Sequence, residues 1–120
     1  MKTKTKWDGK PERQVRNCHY ARGANFERRV KKHLEVLRYQ VIRSAGSHSP
    51  VDLVAFRQTR TLCVQCKLHG KISPAERDAL LDFVSYVPDG IPIIASKSLF
   101  GIAFSRYKDS NNSWVSYSPL

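Results

Sequence analysis

Three cysteines among 120 residues are too few, and odd in number, for a disulfide framework, and they fit a reducing compartment. No apolar run approaches the roughly 18 residues of a membrane span, and the first ten residues, MKTKTKWDGK, lack the apolar core of a secretory signal. A cytoplasmic, intracellular protein is expected, with no membrane and no small-molecule cofactor. Acidic residues are also scarce: 10 Asp+Glu stand against 21 Lys+Arg, for a net charge of +11. There are no internal repeats or low-complexity blocks. The hydrophobic fraction of 41% is that of an ordinary globular chain, and the length suits one domain with a moderate core.

The positive charge is uneven. Residues 1–43 hold nearly all of the excess, with Lys2, Lys4, Lys6, Lys10, Arg13, Arg16 and Arg22 crowding the first part. A basic first third on a small domain points to a polyanion, most often nucleic acid. Residues 1–22 read as a basic N-terminal arm and 23–120 as the folded domain.

Phe26, Val30, Leu34 and Leu37 recur at helical spacing, which predicts an amphipathic helix over 23–39 with Asn25 as a possible N-cap. Glu27 lies at the edge of its buried stripe, and Arg28 and Arg29 point outward. Short strands are expected at QVIRS (40–44), VDLVAFR (51–57) and RTLCVQCK (60–67), with the small, polar loop SAGSHSP between the first two. Val54 and Phe56 should share one face, and Val51, Leu53 and Ala55 the other. Ser73-Pro74-Ala75-Glu76 is a capping box that opens a helix to about Val87. Strands over 91–96, 100–107 and 114–117 follow. The strand–helix–strand passage favours a parallel crossover.

The hairpin around Gln58-Thr59 carries the chemistry. Counting outward from a two-residue turn brings Asp52 opposite Gln65, with Lys67 on the same face. An acid, an amide and a lysine would then converge at one end of an otherwise apolar hairpin. Phosphodiester hydrolysis needs a divalent cation, an activated water and positive charge. Asp52, Gln65 and Glu27 could hold magnesium through oxygen, and Lys67 could orient water or neutralise charge. Cys63 and Cys66 face opposite sides of a strand and have no partner pair, which argues against zinc. His48 could contact phosphate from the loop, and Trp7 and Trp114 could stack on bases, with core or dimer packing as their ordinary use.

An aspartate followed on the next strand by acid-x-Lys resembles the PD-(D/E)xK nuclease pattern. RGANFERRVKKHLE, VIRSAGS, VDLVAF and VQCK stand in the order and spacing of the archaeal-type Holliday junction resolvases, over about residues 21–97. The chain resembles that family, in a form that a virus or phage could carry. The resemblance implies an α/β fold with a mixed five-stranded sheet flanked by helices, a restriction-endonuclease-like core. It also implies a homodimer that binds four-way DNA junctions and nicks opposed strands with Mg2+, for which Mn2+ would substitute. It places catalytic roles on Glu27, Asp52, position 65, Lys67 and Ser47, with Gly46 beside Ser47, and DNA contacts on Arg22 and Arg43. Arg28, Arg29, Lys71 and His48 are further expected DNA contacts.

Two departures stand out. Pro50 lies one place further from the strand acid than in the pattern, and Gln65 occupies a position where the family has Glu. The amide keeps an oxygen ligand but removes a negative charge. The alternative reading is therefore a catalytically weak or inactive protein that binds junction or duplex DNA; a basic RNA-associated structural protein is a third.

Overall fold

The computed structural model describes residues 10–44 and 49–120, with side chains from Arg22 onward. The first helix, α1 (Lys10–Val36), spans 27 residues, about 40 Å at 1.5 Å per residue. It begins well before residue 23, so Asn25 is not a cap: it lies mid-helix, exposed, accepting a hydrogen bond from Arg28 at 3.2 Å. Ala24, Phe26, Val30 and Leu34 are its buried face. Val36 is the last helical residue because Arg38 adopts a left-handed backbone, φ 75°. The Tyr39 N–H then reaches back to the Leu34 carbonyl and the Arg38 N–H to that of Glu35, a Schellman closure built without glycine. Because Arg38 is exposed and its side chain is dispensable for that geometry, Arg38→Gly should stabilise the protein by about 0.5–1 kcal/mol, seen as a higher Tm.

Six strands form one sheet in the order β1 (Gln40–Arg43), β2 (Leu53–Arg57), β3 (Arg60–Cys66), β4 (Gly90–Ser98), β5 (Gly101–Lys108) and β6 (Ser113–Ser116). The sheet thus has one strand more than the five expected, with β6 pairing antiparallel to β5. The first three strands are antiparallel, β3 and β4 are parallel, and β4 to β6 are antiparallel. The crossover between β3 and β4 carries α2 (Pro74–Val84), whose capping box has both reciprocal bonds between Ser73 and Glu76.

Each helix covers one sheet face, as expected for a hairpin apolar on both sides. The stripe of α1 packs on Leu53, Ala55, Leu62, Val64, Ile93, Ala95 and Phe104. On the other face, Leu80 of α2 meets Val51 and Cys63, with Val54, Phe83 and Trp114 at the margin. Val51 therefore lies with Val54 and not with Leu53 and Ala55, because the chain leaves regular alternation just before β2. Trp114 packs in this cluster and meets Tyr107 edge-on.

Candidate active site

The β2–β3 register pairs Arg57 with Arg60 and Leu53 with Val64, as the Gln58-Thr59 turn predicts. Asp52 sits one residue beyond the paired stretch. Its N–H donates to the Val64 carbonyl, its own carbonyl accepts from Ser44, and its Oδ2 accepts the Cys66 N–H at 2.8 Å. The backbone thus clamps Asp52 across the end of β3, on either side of Gln65. Lys67 follows immediately, its N–H bonded to the Ala95 carbonyl of β4. A strand end braced by neighbours on both sides holds these side chains firmly.

Asp52, Gln65, Lys67 and Glu27 all line one cleft of about 740 Å³, together with Ser49, Pro50 and the α2 residues Glu76, Ala79 and Phe83. Glu27 arrives from α1, whose buried stripe places it at the open end of the sheet. It is held by Arg43, whose Nε donates to Oε1 at 3.1 Å. Burial raises the pKa of Glu27, and repulsion from Asp52 adds to it, against the lowering effect of Arg43. Asp52 is also raised, first by burial, with its bond to Cys66 and the charge of Lys67 opposing. Two carboxylates that suffer from their surroundings and from one another are what a divalent cation relieves, and their hard oxygens suit magnesium or manganese.

Gln65 is nearly buried and its amide N–H donates to the Pro50 carbonyl at 2.8 Å. A carboxylate here could not make that bond, so the amide has a structural use: it ties the segment before Asp52 to β3. Position 65 adds oxygen but no charge. Among the described residues, no three His, Cys, Asp or Glu side chains are grouped so as to hold a metal ion.

The residue the sequence did not reveal as part of the site is Glu76. It is recognisable as the N3 position of a capping box, and its Oε1 does accept the Ser73 N–H at 3.0 Å. Its Oε2, however, meets Lys67 Nζ at 2.5 Å. The signal was the short crossover: a helix that starts soon after β3 ends must bring its first turn back beside Lys67.

Other expected residues scatter. Arg22, Arg28, Arg29 and Lys71 are exposed. Arg29 leans over the Phe26 ring, 5.9 Å from its centroid. Gly46, Ser47, His48 and Trp7 lie outside the described residues, as does the arm up to residue 9. Cys63 and Cys66 pack in the two opposite clusters, which excludes a shared zinc, and burial pushes the Cys63 thiol up to about 11. The His33 ring lies 5.7 Å from that of Phe104.

Residues 18–106 match the family model described as archaeal Holliday junction resolvase. The chain belongs to that family. A curated relative, crossover junction endodeoxyribonuclease Hjc of Methanocaldococcus jannaschii, is 39% identical over 82 residues, covering 65% of this chain and 60% of the relative. The structure is similar to that of Hjc from Archaeoglobus fulgidus, a Holliday junction resolvase of an archaeal hyperthermophile, with a TM-score of 0.60 and 25% identity over 69% of this chain and 70% of that one. The chain thus spans about 60% of the length of the curated resolvase it matches. The matched region runs from α1 to β5 and contains every acid and lysine of the cleft. Among the described residues, no helix of this resolvase-family chain is long and apolar enough to cross a membrane.

Proposed function

We propose that the chain is a structure-selective DNA endonuclease that resolves four-way junctions by metal-dependent phosphodiester hydrolysis. The observation that carries this reading is the convergence of Glu27, Asp52, Gln65 and Lys67 in one cleft at the end of β2 and β3. Glu27 and Asp52 would hold Mg2+, with Mn2+ able to substitute, and the Gln65 oxygen is the remaining donor of the set. The cation would polarise the scissile phosphate and lower the pKa of the attacking water. Lys67 would bring an ammonium to the negative charge that grows on the phosphate, and Arg43 keeps Glu27 oriented.

DNA would be held by the exposed cations of α1. Arg22 and Arg29 are two turns apart on one side of the helix, and Lys71 lies in the loop after β3. The basic residues before Arg22 would add further phosphate contacts. Nicking two opposed strands takes two clefts, and the chain supplies one such set of residues, so a symmetric homodimer is the working form.

With Mg2+, the protein should cut a synthetic four-way junction and leave a linear duplex of the same sequence intact. Equal cutting of both substrates would refute the selectivity. A second reading, junction binding without cleavage, is favoured by the missing charge at Gln65 and by the contact that occupies Lys67. Cleavage at any rate above the Lys67→Ala background would exclude it.

A further inference from the structure

Resting on the nuclease reading, Lys67 must keep its ammonium beside the phosphate and away from the carboxylates that would hold the cation. A lysine carries its charge on a long flexible stem, which by itself does not choose between the two places. Asp52 is close enough for the Lys67 charge to lower its proton affinity, and Glu27 lines the same cleft. Even so, the Lys67 side chain bonds neither of them. Among the described residues its one side-chain partner is Glu76, whose Oε2 accepts from Nζ at 2.5 Å.

We infer that Glu76 is a positioning residue for the cleavage reaction: it holds the Lys67 ammonium on the α2 side of the cleft and leaves Glu27 and Asp52 open to the cation. The holder is itself fixed. Its Oε1 accepts the Ser73 N–H at 3.0 Å and its own N–H donates to Ser73 Oγ at 3.1 Å, so the capping box sets its direction. The other end of the pair is anchored by the bond from the Lys67 N–H to the Ala95 carbonyl at 2.8 Å. The pair is charged, because the bond from Lys67, then that from Ser73, pulls the Glu76 pKa down. Ala75 and Ala79, the small residues that line the cleft beside Glu76, keep that wall low. An ammonium has three N–H donors and Glu76 takes one, which leaves donors for a phosphate oxygen.

The competing role for Glu76 is that of a capping-box residue with an incidental ion pair. Glu76→Gln separates the two: glutamine at N3 keeps the bonds to Ser73 and puts an NH2 group where Lys67 had its acceptor. In single-turnover cleavage of a four-way junction with Mg2+, Glu76→Gln should be slower by about tenfold or more at saturating protein. The half-saturating protein concentration and the Tm should stay at their wild-type values. In a Lys67→Ala background the same substitution should cause no further loss, because Glu76 acts through the lysine. In nitrogen-labelled, metal-free and DNA-free protein, the Lys67 ammonium resonance should move in Glu76→Gln.

A wild-type cleavage rate in Glu76→Gln, a further loss of rate when it is added to Lys67→Ala, or an unmoved Lys67 resonance would each overturn the inference. The wild type separates this inference from the reading it rests on. A wild type that cuts no faster than Lys67→Ala would refute the nuclease reading and the positioning role with it. A wild type that cuts, matched by Glu76→Gln, would refute the positioning role alone.

Discussion

Lys67→Ala is expected to reduce single-turnover junction cleavage by about 10³-fold while junction binding stays within about threefold of wild type. The expectation follows from where the ammonium sits. Among the described residues, Lys67 is the only lysine lining the cleft, immediately after the strand that clamps Asp52, and its only side-chain partner is Glu76. An oriented positive charge in such a site acts on the transition state and contributes little to holding a duplex that many phosphate contacts already hold. Removing it also leaves Glu76 without its counter-charge, which makes the cleft more hostile to phosphate. Cleavage by Lys67→Ala at the wild-type rate would place the chemistry elsewhere in the protein.

Asp52→Asn should lose cleavage on the order of 10³-fold and yet make the metal-free protein more stable. The folded pKa values of Glu27 and Asp52 are raised above their ordinary 4.5 and 3.8, so the native state binds these protons more tightly than the unfolded chain does. Their contribution to stability is present below the ordinary values and is lost as pH rises through the raised ones. At neutral pH both carboxylates are therefore a burden on the fold. Asparagine keeps an oxygen for the Cys66 N–H and removes the buried charge. Thermal unfolding at pH 7 in EDTA should show a Tm a few °C above wild type. A lower Tm would mean that the charge of Asp52 supports the fold, contrary to the direction of its pKa.

How far the site was legible depended on whether local rules governed each residue. Gln58-Thr59 is a short turn, and a two-residue turn dictates register, so the facing of β2 and β3 followed from counting. The stripe Phe26, Val30 and Leu34 and the Ser73–Glu76 box are periodic or positional signals, and each marks a real helix, although α2 stops at Val84, short of the expected Val87. The start of α1 was missed because residues 10–22 offer no apolar stripe to count. Its end was misjudged because Arg38, not a glycine, takes the left-handed position. Val51 was assigned to the wrong face because Asp52 bonds one place out of register, to Val64, and breaks the two-residue alternation. Glu76 was read in full for its local role, but its contact with Lys67 follows from the short connection between β3 and α2 and not from the capping box itself.

Gln65 illustrates the same boundary from the other side. The sequence shows that a charge is missing there; only the fold shows that its amide holds Pro50 and that another carboxylate stands nearby.

The most direct measurement of the central claim is the product analysis of a four-way junction incubated with the wild-type protein and Mg2+. The account predicts paired nicks in two opposed strands, yielding two linear duplexes whose ends can be sealed by ligase. Tight junction binding with no nicked product in either Mg2+ or Mn2+ would contradict it.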